Sequence, residues 1–293
     1  MTMHDDEIAI DGDRVAALIA EQFPEAGGLR IVKVRSTGTV NAVYRLGDHL
    51  AVRIPRVPRW ATDLERETTW LPLLSAHLPI QVPRPVFVGT PTPSVPVPWA
   101  VYEWIDGAPY SDATIDAETD AARILATVIG DLRLVDPTGA PPAGRRPLQA
   151  LDEDTRTAIR EAAGIIDAAA TGRIWDALAR TDPWSGDPVW IHTDLLRPNL
   201  IARDGGLRAV IDWGGAGVGD PAADVIAAWS VFGPSGRRAF RETLGVDDAT
   251  WDRARGFALH QAAVIIPYYR ESNPEFVVTA VRTIDQILLD ERR

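Results

Sequence analysis

An α+β fold in two parts, a small antiparallel sheet followed by a larger helical body, is what three features of this chain predict. Leu29 to Ile54 runs as three short alternating segments, broken at Ser36-Thr37-Gly38-Thr39 and at Gly47-Asp48, the pattern of half-buried strands joined by turns. After Gly107 the character changes to Ala-rich stretches whose apolar residues recur at helical spacing. With 293 residues the chain is long enough for two cores, and the change of character places a hinge near Glu103 to Asp106. Residues 1–104 are expected to form the first part and 105–293 the second.

Taken in order, Asp13 to Phe23 combines helical spacing with an acidic start and Pro24 just past its end, so a helix opens the chain. LRIVKV, NAVYRL and HLAVRI are the three strands, and Asp63 to His77 returns to helical spacing. Val82 to Pro98 is too rich in proline for a helix and is expected to be extended. Trp99 to Ile105 (WAVYEWI) reads as a strand ended by Asp106-Gly107. Helices are then expected over Glu118 to Val135, Asp152 to Ala179, Ala222 to Phe232, Arg237 to Leu244, Thr250 to Tyr268 and Pro274 to Asp290. Between them only Ile191 to Ile211 breaks the helical spacing, and Pro137 to Pro147 reads as a Pro/Gly-rich loop.

Composition narrows the chemistry. With no cysteine, thiolate catalysis, disulfides and cysteine zinc sites are excluded, and the five histidines lack metal-ligand spacing. A net charge of −11 argues against nucleic acid, whose phosphates demand clustered cations, and suits a cationic small molecule. The acidic N-terminus lacks the apolar core of a signal peptide and no apolar run reaches membrane-spanning length, so no membrane role and a cytoplasmic setting are expected. Lys33 is the only lysine, so any other cationic role falls to arginine.

The most informative stretch is IHTDLLRPNLIARDGGLRAVIDWGGAGVGDPAAD, residues 191–224. Asp194 follows His192 by two and precedes Asn199 by five; a turn and the apolar run Leu207 to Ile211 then lead to Asp212. This is the H-x-D-x-x-x-x-N … D order of kinase-type phosphoryl transfer, in which one carboxylate handles the nucleophile's proton and Asn and Asp hold magnesium. The types suit the task, because a hard cation with oxygen ligands neutralises the negative oxygens that must be brought together.

With STGTVNAVYRLGDHLAVRIPR, VYEWIDG and this block in the same order, the chain resembles the bacterial aminoglycoside phosphotransferase-type kinases, protein-kinase-like enzymes acting on small molecules. The resemblance implies the protein-kinase-like bilobal fold, with Asp194 as catalytic base, Asn199 and Asp212 as Mg²⁺ ligands and His192 as a scaffold. It implies a phosphate-covering loop at Ser36, Thr37, Gly38 and Thr39, poorer in glycine than usual. Arg53 stands at the phosphate-binding lysine position, with Glu67 facing it and Glu65 as the competing candidate. The Glu103 carbonyl and Ile105 amide are implied at the purine edge with Tyr102 behind the base, leaving ATP or GTP open as donor. The chain departs from the family in having Arg197-Pro198 before the asparagine; Arg197 is expected to point to solvent, and Asp220 and Asp224 to brace the loop. The implied activity is transfer of a γ-phosphate to a hydroxyl of a small molecule, foremost an aminoglycoside-like antibiotic. A macrolide, an endogenous metabolite, or a nucleotide sensor without catalysis are the alternatives.

Overall fold

The computed structural model describes residues 7–34 and 40–291. Helix α1 (Gly12–Gln22) starts where the Asp11 carboxylate accepts the Arg14 amide, and it buries Val15, Leu18 and Ile19. Strands β1 (Ile31–Lys33), β2 (Asn41–Leu46) and β3 (Leu50–Pro55) follow, then α2 (Ala61–Ser75), β4 (Pro85–Gly89) and β5 (Trp99–Glu103). They form an antiparallel sheet in the order β1-β2-β3-β5-β4. Alternation along β2 sends Ala42, Tyr44 and Leu46 to one face, where with Val52, Ile54, Trp99 and Val101 they pack on α1. The other face receives α2, whose Leu64 meets Ala100 and Tyr102.

The rest of the chain is mainly helical: β6 (Ala108–Pro109), α3 (Glu118–Arg133), α4 (Asp152–Glu161), α5 (Ala168–Leu178), β7 (Val189–Ile191), β8 (Leu200–Arg203), β9 (Gly206–Val210), β10 (Gly217–Gly219), α6 (Ala222–Val225), α7 (Ala227–Ser230), α8 (Pro234–Leu244), α9 (Asp248–Tyr269) and α10 (Pro274–Glu291). A single large core joins α3, α8, α9 and α10 to the short strands, with Trp175, Trp190, Trp213 and Trp229 fully buried in it. Thus the α+β division, with an antiparallel sheet ahead of a helical body, is the architecture observed.

Several bounds differ from the sequence reading. The helix expected over 152–179 is two helices, because Gly164 takes a left-handed φ of 89° and Asp167 starts α5 by accepting the Ala170 amide. The stretch 222–232 is likewise two short helices. Strands β6, β7 and β10 went unforeseen, being two or three residues long and too short to show alternation. The Pro/Gly-rich segment 137–147 is tied to β10, with Ala143 donating to the Val218 carbonyl and Val218 donating to that of Pro141.

Candidate active site

The loop between β7 and β8 is held from beneath by a buried acid. Asp224, on α6, accepts the main-chain N–H of His192 at 2.8 and 3.0 Å and that of Thr193 at 2.7 Å. Burial raises the Asp224 pKa, while His192 and the two amides oppose the shift. Thr193 sits at a φ of 79°, unusual for a β-branched residue. It is clamped there by Arg145, which donates to its carbonyl at 3.2 Å, and by its own hydroxyl, which donates to the Gly215 carbonyl at 3.3 Å. The His192 ring ties this loop to the strand beyond: its Nδ1 accepts the Asp194 amide, and its Nε2 donates to the Ile211 carbonyl. Bracing at His192, Asp220 and Asp224 is therefore main-chain work, with Asp220 accepting the Ala222 amide and pairing with Arg253.

The clamped loop delivers Asp194 with both carboxylate oxygens engaged. Its Oδ2 accepts Asn199 Nδ2 at 2.8 Å, and its Oδ1 accepts Gln261 Nε2 at 2.9 Å. Burial and the neighbouring Asp212 carboxylate push Asp194 above the ordinary carboxylate range, against the influence of His192, Arg145 and the Gln261 bond. Asn199 closes the turn 197–199 and gives its amide nitrogen to the Asp194 main chain as well as the side chain.

Asp212 follows β9 in the left-handed region, with a φ of 68°, a conformation Asp tolerates. Across the cleft, Arg53 of β3 donates to Asp212 Oδ1 at 2.8 Å and to Glu67 Oε1 at 2.5 Å. Glu67 Oε2 in turn accepts the Trp213 amide at 2.8 Å, so three charged groups and one amide form a closed chain between the two parts. Burial pulls the Arg53 pKa down, but Glu67 and Asp212 outweigh it and hold the guanidinium charged. Glu65, the competing candidate, is exposed and contacts none of these groups through its carboxylate among the described residues. Tyr102 is buried with its ring 5.3 Å from the Arg53 guanidinium, and burial together with Glu67 raises its phenol well above the ordinary value.

These residues surround a cavity of about 170 Å³, lined among others by Asn41, Arg53, Glu67, Asp194 and Asp212. Asp63, which the sequence reading passed over, lines it too, and burial followed by Asp212 and Glu67 raises its pKa despite Arg66. Gly214 permits this approach, since a Cβ there would stand 2.9 Å from that of Asp63. Asn199 lies beside the cavity through Asp194, whereas Glu103 and Ile105, at the end of β5 and beyond it, are not in its lining. Ser36, Thr37, Gly38 and Thr39 lie outside the described residues.

Arg197 is the departure from expectation. Its side chain is 12% exposed: Nε donates to the Val231 carbonyl, Nη2 pairs with Asp112 at 2.7 Å, and the guanidinium lies over Tyr110. The turn that presents Asn199 thus points Arg197 back into the helical body. Gln261 and Arg145 were also missed; each reaches the loop from far along the chain, Gln261 from α9 and Arg145 from the segment after α3, and nothing in their local sequence marks them.

A magnesium ion suits the donor set. The Asn199 nitrogen is spent on Asp194, leaving its carbonyl oxygen, and the Asp212 carboxylate is 32% exposed beside the cavity. No cluster of three or more His, Asp or Glu able to hold an ion is found among the described residues. One carboxylate and one amide oxygen, completed by phosphate and water, is the all-oxygen set Mg²⁺ takes, unlike the all-protein cage a structural metal needs.

The model of the phosphotransferase enzyme family (APH) matches residues 31–257. The uncharacterized protein YcbJ of Bacillus subtilis (strain 168) is 27% identical over 165 residues, 54% of this chain and 51% of that protein, so the chain spans about half the length of this curated relative. Among solved structures, the GDP and kanamycin complex of APH(2")-IIIa superposes with a TM-score of 0.74 at 19% identity, covering 94% of this chain and 99% of that one. Macrolide 2'-phosphotransferase MphH from Brachybacterium faecium, as apoenzyme, gives 0.59 at 22%, covering 93% and 97%. At these identities the structural likeness is one of fold.

Proposed function

Since the chain belongs to the phosphotransferase enzyme family, we propose that it moves the γ-phosphate of ATP or GTP to a hydroxyl of a small molecule, with Asp194 as the base. One observation supports this above the others: Asp194 and Asp212 of the helical part and Arg53 and Glu67 of the sheet part line a single cavity, with Asn199 bonded to Asp194 beside it. Asp194 accepts the proton of the acceptor hydroxyl, the hydroxyl oxygen bonds to the γ-phosphorus, and the bond from that phosphorus to the β,γ-bridging oxygen breaks to release the nucleoside diphosphate. Asn199 and Asp212 hold Mg²⁺, which when bound neutralises charge on the phosphates. Arg53 grips the phosphates while Glu67 braces it, and its fork can keep Glu67 while releasing Asp212. The Glu103 carbonyl and Ile105 amide pair with the purine edge in front of Tyr102. In this reading residues 1–104 bind the nucleotide, and 105–293 supply the base, the metal ligands and the acceptor cleft. No helix among the described residues is long and apolar enough to cross a membrane, and the reading places the enzyme in the cytoplasm.

Asp194→Ala tests the base. Turnover should fall by at least ~10²–10⁴-fold, while calorimetry shows Mg²⁺-nucleotide affinity close to wild type. A variant that kept its kcat would remove the assignment.

For the acceptor, an aminoglycoside-like polycation is supported by the net charge of −11. A macrolide-like acceptor, the second reading, would be selected by apolar contact rather than by charge. Incubation with Mg²⁺ and ATP or GTP against aminoglycosides, macrolides and sugar-like metabolites, read by mass spectrometry, separates the two. Nucleotide binding with no phosphorylated product in any arm points to the sensor instead.

A further inference from the structure

Asp194 is gripped by two amides of different origin. Asn199 belongs to the same loop, five residues on, and also bonds the Asp194 main chain, so its hold travels with the loop. Gln261 comes from α9, 67 residues away, and reaches Oδ1 at 2.9 Å. Its helix neighbours Ala258, Leu259, Ala262 and Ala263 are buried, which anchors the backbone beneath it in the core of the helical part. The same side chain borders the cleft between α9 and α10 together with Leu196 and Ile265.

We propose that Gln261 is a positioning residue for the reaction: it fixes the Asp194 carboxylate in the frame of α9 and aligns Oδ1 with the attacking oxygen. The proposal rests on the reading of Asp194 as the base. The residue type fits the task. A neutral amide donates one hydrogen bond and leaves Oδ1 a lone pair for the incoming hydroxyl, because a carboxylate oxygen accepts more than one. A lysine there would neutralise the base, and a carboxylate would repel it. Without Gln261 the carboxylate keeps only its own loop's grip and is free to turn about its side-chain torsions. A displacement on the order of 1 Å at a reacting group can cost about 10²-fold in rate.

The test uses the full chain as wild type, Gln261→Leu, Gln261→Met and Asp194→Ala. Phosphoryl transfer from Mg²⁺-ATP and Mg²⁺-GTP is measured with water, kanamycin and erythromycin as acceptors, and kcat is normalised to the titre of nucleotide-binding sites. Both Gln261 variants should lose about 10–100-fold in kcat, with the KM and Kd for nucleotide at wild-type values. A structural role alone would lower melting temperature or the active titre and leave normalised kcat unchanged. Wild-type kcat in either folded Gln261 variant, beside an inactive Asp194→Ala, overturns the role of Gln261 and spares the base. Activity persisting in Asp194→Ala overturns the reading of the base, and the proposal with it. Loss of nucleotide affinity in step with kcat overturns the proposal too, since Gln261 would then act on the nucleotide side.

Discussion

Asp212 is the residue on which metal, phosphate grip and backbone geometry meet. Its left-handed backbone, at a φ of 68°, restricts what can replace it, and asparagine is the substitution that this conformation accepts. Asp212→Asn therefore removes charge with little backbone cost and isolates the electrostatic contribution. Asn199→Ala removes a neutral donor and with it the amide that holds Asp194 Oδ2 at 2.8 Å. If both hold Mg²⁺, the charged one dominates: Asp212→Asn should weaken Mg²⁺-nucleotide binding more than Asn199→Ala does, while Asn199→Ala should lower kcat through the loosened base. Calorimetric titration of Mg²⁺-nucleotide into the two variants checks the ranking, and the reverse order would count against the metal assignment. The release of Arg53 from Asp212 in the first variant does not mask the effect, because Glu67 still holds the guanidinium at 2.5 Å.

At the scale of elements, α9 joins the site to the helical core, with Gln261 facing the base and His260 facing α4. His260 Nδ1 lies 2.8 Å from the Thr155 hydroxyl, and burial followed by the nearby Arg145 pushes its pKa from 6.5 down to about 4, with Arg146 lowering and Asp154 raising it. The folded state then leaves the ring neutral at a pH where the unfolded chain protonates it. Stability is unaffected by this group above pH ~6.5 and is lost as pH falls toward ~4, by about 2–3 kcal/mol in all. His260→Gln keeps a partner for Thr155 and removes the titration. Urea melts at about pH 7.5 and 4.5 should show wild type losing about 2 kcal/mol more than the variant over that range, and parallel losses would refute the linkage. Neither half of this arrangement was legible in the sequence, where Gln261 and His260 are ordinary positions in a helical stretch. Legible elements were those whose pattern is local: α1 from its cap and spacing, β2 and β3 from alternation, α10 from its proline start. What escaped depends on partners far along the chain. Arg197 turns inward because Asp112, Tyr110 and Val231 await it. Arg145 reaches Thr193 from a loop that composition marks only as irregular.

Over the whole molecule the two parts meet at the site and beneath it, where Leu71, Leu74 and Val82 join the large core of the helical part. Arg53 to Asp212, Glu67 to the Trp213 amide and Arg66 to the Ala216 carbonyl all cross between them, and Gln81 exchanges main-chain bonds with residues 208 and 210 of β9. Charge acts on the same scale. The net −11 sets up a field that reaches an approaching ligand before any contact forms. Long-range attraction of this kind raises the rate of encounter rather than the rate of the bound complex. For a polycationic acceptor, kcat/KM should therefore fall several-fold between 0.1 M and 1 M salt, as the Debye length shortens from ~10 Å to ~3 Å, and kcat should stay level. Steady-state kinetics on the best acceptor at both salt concentrations checks this. A kcat/KM that does not change with salt, or a best acceptor that is neutral, would remove the electrostatic reason for an aminoglycoside-like substrate. Apolar contact with the acceptor would then carry the selection. Burial of apolar surface is not screened by salt in this way, so the two acceptor readings differ in the slope as well as in the product formed.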